Sequence, residues 1–197
     1  MLLGITQRVV VNAAYPERRD ALSQEWAPFL SACGVSFVPL PNHVDAVRAL
    51  LAALPLTGFI LSGGNDVMAY GGDAPERDAV EEYLLNHTQT SSQPVLGVCR
   101  GFQMMQVFSG GKLEKRDGHV ACRHDVSGAI AHPVNSFHQY AVANLADGFD
   151  VLARAPDGTV EAARHRNFNW TGIMWHPERE AAADPADIAL VKGVFKL

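Results

Sequence analysis

Cys99 stands at the end of an apolar run, Pro94-Val95-Leu96-Gly97-Val98, and is followed at once by Arg100-Gly101-Phe102-Gln103. An apolar strand that ends on a thiol and turns directly into a helix is a nucleophile-elbow arrangement. The tight turn crowds the backbone around Cys99, so the small flanking residues Gly97 and Gly101 make steric sense there. Unpaired N–H groups and the dipole at the helix start favour thiolate over thiol. A lone cysteine is more often a buried structural residue. The flanking pattern is what moves Cys99 away from that reading.

A thiol nucleophile needs a base. Near the C-terminus, Gly172-Ile173-Met174-Trp175-His176-Pro177-Glu178 places an imidazole and a carboxylate two residues apart at the end of a strand. Alternation along a strand sets both on one side. Glu178 can then accept from one ring nitrogen of His176 and fix its tautomer, leaving the other nitrogen to move the thiol proton. A third piece, Leu61-Ser62-Gly63-Gly64-Asn65-Asp66, is a glycine pair after a strand. With the amide of Arg100, the amide near Gly64 can form an oxyanion hole for a tetrahedral intermediate. A Gly-Gly by itself is more often only a turn.

The elements that must position these residues alternate along the chain. Leu2 to Val11 reads as a strand, Arg18 to Cys33 as a helix with apolar Leu22, Trp26, Phe29 and Leu30, Val35 to Leu40 as a strand, and Val44 to Leu54 as a helix. Gly58 to Ser62 is a third strand, Pro75 to about Thr90 a helix, Pro94 to Val98 a fourth strand, and Gly101 to Phe108 a helix. This order predicts an α/β three-layer sandwich, a mostly parallel central sheet with helices on both faces. Leu113 to Ala143 carries short β-prone runs and turn residues, which predicts a small antiparallel extension. Val151 to Ala155, Val160 to His165 and Gly172 to Trp175 follow as strands, with a closing helix over Pro185 to Phe195. Residues 1–197 are expected to form one domain.

The totals exclude several classes. The chain has 197 residues, 48% of them hydrophobic, enough for a core around a sheet. A formal net charge of −5 with no dense basic run argues against nucleic acid as a partner. The longest apolar stretches are broken by Pro55 or by charges and fall short of the ~20 residues of a membrane span. Three cysteines with no paired spacing argue against a disulfide framework and for a reducing compartment, with the cytoplasm as the default. His119, Cys122, His124 and Asp125 match no standard metal-site spacing, so they read as surface loop residues and no metal is expected. Met104, Met105 and Phe108 follow the nucleophile at helical spacing and read as core.

Taken together, these segments resemble the class I glutamine amidotransferase family over nearly the whole chain. Cys99, Gly101 and Gln103 match the family's Cys-x-Gly-x-Gln elbow, His176-Pro177-Glu178 its His-Pro-Glu, and Gly63-Gly64 its strand-end glycine pair. The resemblance implies a Cys99, His176 and Glu178 triad acting on a γ-glutamyl amide through a thioester, without a cofactor. It further implies that Ser136, Phe137 and His138, in Asn135-Ser136-Phe137-His138-Gln139, belong to the loop whose backbone holds the glutamyl α-amino and α-carboxylate groups, with Gln103 on the other side. Arg100 and Asn65-Asp66 are similar to the free-standing γ-glutamyl-γ-aminobutyrate hydrolase branch, and the loops Asn65 to Asp73 and Gly118 to Ala131 are the candidates to read the amine side. Gly4-Ile5-Thr6-Gln7-Arg8 and Met174 to Glu180 resemble the γ-glutamyl-CDP-amidate hydrolases of bacterial capsule phosphoramidate synthesis, whose products would be glutamate and a CDP-diamidate. The partner implied is a small γ-glutamyl substrate, and a homodimer stays open. Two other readings compete: a glutaminase subunit that passes ammonia to a synthase, and a non-catalytic member of the fold.

Overall fold

In the computed structural model, which describes residues 1–197, the first apolar run breaks at Gln7. Leu2–Thr6 (β1) lies in the central sheet, whereas Arg8–Val11 (β2) leaves it and pairs antiparallel with Arg18–Ala21 (β3). The helix expected from Arg18 therefore begins only at Trp26 and ends at Ala32 (α1). Its buried Trp26, Phe29 and Leu30 are the expected apolar stripe. Residues 18–21 are taken by strand pairing, and the Asp20 carboxylate accepts from the backbone and side-chain N–H groups of Asn42 at 3.0 and 2.7 Å. Tertiary pairing outweighs helix propensity at that end.

Ser36–Leu40 (β4), Val44–Ala53 (α2), Phe59–Leu61 (β5), Pro75–Ser91 (α3), Val95–Val98 (β6) and Arg100–Phe108 (α4) then alternate as expected. His43 caps α2, its Nδ1 accepting from the Ala46 N–H at 3.4 Å. Pro75 opens α3, where a missing N–H costs nothing, and Glu76 and Asp78 sit in its first turn. The second half contains Lys112–Lys115 (β7), Val120–Asp125 (β8), Ser127–Gly128 (β9), Pro133–Phe137 (β10), Tyr140–Asn144 (β11), Phe149–Arg154 (β12), Val160–His165 (β13), Trp170–Ile173 (β14) and Pro185–Phe195 (α5).

The main sheet runs β4-β1-β5-β6-β14-β13-β11-β7, with β12 on β13 and β9 on β12. Pairing from β4 to β14 is parallel and turns antiparallel between β14 and β13. The pair β8 and β10 stands outside this sheet. Period-two alternation divides the core into two layers. Phe59 and Leu61 of β5 cluster with Val80, Leu84 and Leu85 of α3 and Phe102 and Met105 of α4. Ile60 between them clusters with Leu96 and Val98, with Trp26, Phe29 and Leu30 of α1, and with Val191 and Phe195 of α5. Each fully buried large side chain contributes roughly 1.5–3 kcal/mol.

The strand order also sets the site. β6, which ends next to Cys99, lies between β5, which leads into Gly63-Gly64, and β14, which leads into His176. Three segments distant in sequence therefore emerge side by side at the carboxyl ends of parallel strands, where open α/β sheets place their ligands. No helix is long and apolar enough to cross a membrane.

Candidate active site

At the elbow, Cys99 has φ 51° and ψ −106°, a conformation rare for a residue with a side chain. Its N–H donates to the Ile173 carbonyl at 2.7 Å and its carbonyl accepts from the Gln103 N–H at 3.0 Å, which hold it in place. The glycines beside it are compulsory. A Cβ on Gly97 would stand 2.8 Å from the backbone of Gly101, and one on Gly101 would stand 2.0 Å from the Leu61 carbonyl oxygen. Gly172 is equally constrained, since a Cβ there would meet the Phe102 ring at 2.0 Å.

His176 and Glu178 come together differently from the strand-alternation expectation. β14 ends at Ile173, and a single 3-10 turn over Pro177–Arg179 folds Glu178 back beneath His176. Pro177 has the fixed φ that starts such a turn, and the Arg179 N–H closes it on the His176 carbonyl at 3.1 Å. His176 Nδ1 lies 2.7 Å from Glu178 Oε1, with both side chains buried. Burial works against the charged ring. The neighbouring Cys99 sulfur, by its negative charge as thiolate and by hydrogen bonding, and then Glu178, outweigh it and raise the imidazole to about 9.

The backbone of His176 is clamped from both sides by Asn135, whose Oδ1 accepts from the His176 N–H at 2.9 Å and whose Nδ2 donates to the His176 carbonyl at 2.8 Å. The same Nδ2 reaches Glu180 at 2.7 Å, and Glu180 pairs with Arg123. One residue earlier, Trp175 Nε1 donates to Asp187 of α5 at 2.8 Å. The ring of Phe137 stands edge-on to His176 at 5.8 Å.

The Gly63-Gly64 turn is held from behind. Buried Arg77 of α3 donates to the carbonyls of Gly63, at 3.2 Å, and of Gly64. In a trans peptide the N–H points opposite to the preceding carbonyl, so the Gly64 amide is aimed away from Arg77, toward the cleft that Gly64 lines. Glu81 pairs with Arg77 at 3.1 Å and also with Arg100, which a second carboxylate, Asp78, joins. Thr6 ties this group to β1, donating to Glu81 at 2.8 Å and accepting from the Ser62 N–H at 3.0 Å. Burial and the adjacent Arg100 lower the Arg77 guanidinium to about 10, still charged at neutral pH. The Arg100 side chain thus faces inward, and only its backbone is at the elbow.

Cys99 and His176 open onto one cleft of about 340 Å³, together with Gly64, Asn65, Arg100, Gln103, Phe137 and His138. The structure adds Arg8 and Arg179 to its wall; the Arg179 guanidinium lies 4.7 Å over the Phe137 ring. Gln103 donates to the Tyr140 carbonyl at 2.9 Å. Asn65 lines the cleft, but its amide is engaged with both backbone groups of Val9, at 2.8 and 3.0 Å, and so fixes the β2 hairpin that carries Arg8. His138 is committed too, to the Tyr140 carbonyl at 3.1 Å and to Glu161 at 3.3 Å. Ser136 is fully buried, and its hydroxyl donates to the His119 carbonyl at 2.8 Å, away from the cleft, which leaves its backbone for the expected glutamyl contact. His119 and His124 depart from the surface-loop reading, since both side chains are nearly enclosed.

Residues 22–193 match the model of the class-I glutamine amidotransferase family. The chain belongs to that family. Among curated relatives, the γ-glutamyl-CDP-amidate hydrolase of Campylobacter jejuni is 33% identical over 100% of this chain and 98% of its own. One subunit of the glutamine-hydrolysing GMP synthase of Thermococcus kodakarensis is 26% identical over 79% of this chain and 82% of its own. A crystal structure of a glutamine amidotransferase from Thermotoga maritima superposes with a TM-score of 0.67 at 15% identity, covering 99% of this chain and 83% of that one. That likeness speaks to the fold. The C. jejuni hydrolase matches this family member from end to end.

Proposed function

We propose that this glutamine amidotransferase-family chain is a hydrolase that cleaves a γ-glutamyl amide through Cys99, His176 and Glu178. The reading is carried by one observation: the elbow cysteine and an imidazole braced by a carboxylate at 2.7 Å share a single cleft. His176 takes the Cys99 proton, and the thiolate attacks the γ-carbonyl carbon. The oxyanion rests on the amides of Gly64 and Arg100. The C–N bond breaks as His176 returns its proton to the leaving nitrogen. Water, deprotonated by His176, then cleaves the γ-glutamyl thioester and releases glutamate. Gln103 and the Phe137 loop are positioned to flank the glutamyl group.

For the substrate, we propose γ-glutamyl-CDP-amidate, as in capsule phosphoramidate synthesis. The end-to-end similarity to the C. jejuni hydrolase supports this, as do Arg8 and Arg179 in the cleft wall. Guanidinium groups suit phosphoryl oxygens. Turnover of glutamine, γ-glutamyl-γ-aminobutyrate and γ-glutamyl-CDP-amidate is compared on one preparation. The nucleotide substrate is expected to win, and Arg8→Ala and Arg179→Ala are expected to weaken it more than glutamine. Mass spectrometry should find a γ-glutamyl adduct on Cys99, and Cys99→Ala should be inactive. An active Cys99→Ala protein ends the cysteine mechanism.

A further inference from the structure

Behind the cleft, three histidines from different parts of the chain meet one buried carboxylate. Glu161 of β13 is fully buried. Its Oε1 lies 3.3 Å from His119 Nδ1, 3.3 Å from His138 Nε2 and 3.8 Å from His124 Nε2. Hydrogen bonding accounts for the His138 contact and not for the other two. His119 Nδ1, His124 Nε2 and Glu161 Oε2 are all buried without a hydrogen-bond partner. Three orphaned polar atoms in one small volume carry a desolvation penalty that nothing in the protein offsets.

The outer ring nitrogens explain which atoms are available. His119 Nε2 faces the Asp157 carboxylate at 3.2 Å, His124 Nδ1 the Asp125 carbonyl at 3.3 Å and His138 Nδ1 the Tyr140 carbonyl at 3.1 Å. Each acceptor takes the N–H of its ring. That tautomer leaves a lone pair on the inner nitrogens of His119 and His124, both turned toward the same carboxylate. Carboxylate or carbonyl behind each histidine is the arrangement that orients metal ligands.

We infer that His119, His124 and Glu161 form a three-ligand site, its fourth position left to water, for a divalent transition-metal ion of the zinc type. A tetrahedral ion with ligands at ~2.0–2.1 Å sets neighbouring ligand atoms about 3.3–3.4 Å apart. The distances from Glu161 Oε1 to His119 and His124 fall at or just above that edge, and the ligand atoms of these three residues all lie within 4.8 Å of one another. Nitrogen donors with one carboxylate favour zinc or a neighbouring transition ion over magnesium or calcium. A cleft of about 260 Å³ lined by Asp117, Gly118, His119, His124, Pro156 and Asp157 provides an entry path.

The site is distinct from the catalytic group, yet its protein ligands tie β8 and β13 to His138, which also lines the catalytic cleft. Its role is therefore a brace behind the substrate loop.

The full chain, stripped with EDTA and desalted, is titrated with Co²⁺ and separately with Zn²⁺. About one equivalent of Co²⁺ is expected to bind with the intense visible bands of a four-coordinate nitrogen–oxygen site. No sulfur-to-cobalt charge-transfer band should appear, because neither Cys99 nor Cys122 is a ligand. Zn²⁺ should raise the thermal midpoint. His124→Ala and Glu161→Gln should lose the bands, and Asp157→Ala should weaken binding by about 10–100-fold. His124 lies at the margin of the cluster, with its side chain 13% exposed, so its truncation tests the site even where Glu161→Gln fails to fold. Absence of the visible bands in the wild type overturns the proposal. So does a sulfur charge-transfer band, or cobalt spectra unchanged in His124→Ala.

Discussion

Gly63→Ala tests the active-site geometry at a point where chemistry is untouched. A Cβ at this position would lie 2.5 Å from His176 Cε1, with Nδ1 and Nε2 at 3.4 Å. Ordinary carbon contacts are ~3.5–4.0 Å, so the ring must retreat by about 1 Å. It cannot do so by sliding its backbone, because Asn135 holds the His176 N–H and carbonyl at 2.9 and 2.8 Å. Rotation is left, and that stretches the 2.7 Å bond to Glu178 and carries the ring away from the thiol. Gly63 is not among the positive-φ residues, so the new methyl adds no backbone strain of its own. A displacement of ~1 Å in a catalytic group costs on the order of 100-fold in rate, or about 2.7 kcal/mol of barrier. Overpacking should cost about 1–3 kcal/mol of stability. Steady-state hydrolysis of glutamine and a chromogenic γ-glutamyl anilide gives kcat/KM, and thermal unfolding gives the second quantity. A Gly63→Ala enzyme within about threefold of wild-type kcat/KM would show that His176 is not the base, or not held as described.

Other outcomes follow from the same geometry. Asn135→Ala leaves two buried groups of His176 unpaired, so unfolding in urea should show a loss of about 2–4 kcal/mol, with kcat falling more than KM rises. In Cys99→Ala the imidazole loses the thiol that most favours its charged form, so its titration, followed by NMR, should move down from about 9. Because that folded value lies above the unfolded one, the pairing stabilises the protein fully below ~6.5 and is lost as pH rises through about 9. Thermal midpoints should accordingly decline across that window, and decline less in Cys99→Ala. Gly193, inside α5 with open space around it, offers a contrast: Gly193→Ala should stabilise by roughly 0.5–1 kcal/mol without affecting turnover.

Much of the site is written locally in the chain. The elbow is legible because Gly97 and Gly101 stand within a few residues of Cys99, and His176-Pro177-Glu178 because Pro177 folds its own neighbours together. What escapes sequence reading is long-range. Asn135 and His176 are 41 residues apart, and nothing near either one announces the clamp. Arg77 and Glu81 look like an ordinary i,i+4 pair on a helix until the fold buries them under the glycine turn. His119, His124, His138 and Glu161 have no regular spacing, since β-pairing and not a local motif gathers them. The β2–β3 hairpin hides in the same way, as strand pairing claims residues whose pattern reads as helical.

Helix α3 grips both sides of the cleft floor. Arg77 fastens the turn at Gly63 and Gly64, while Asp78 and Glu81, on the same stretch of helix, fasten Arg100, the residue that follows Cys99. The distance between the two oxyanion-binding amides in the proposed mechanism is thus measured off by one rigid rod, as by a ruler, and not by the loops that carry them. Those loops can then drift in sequence to suit a different amine without detuning the spacing on which bond cleavage relies.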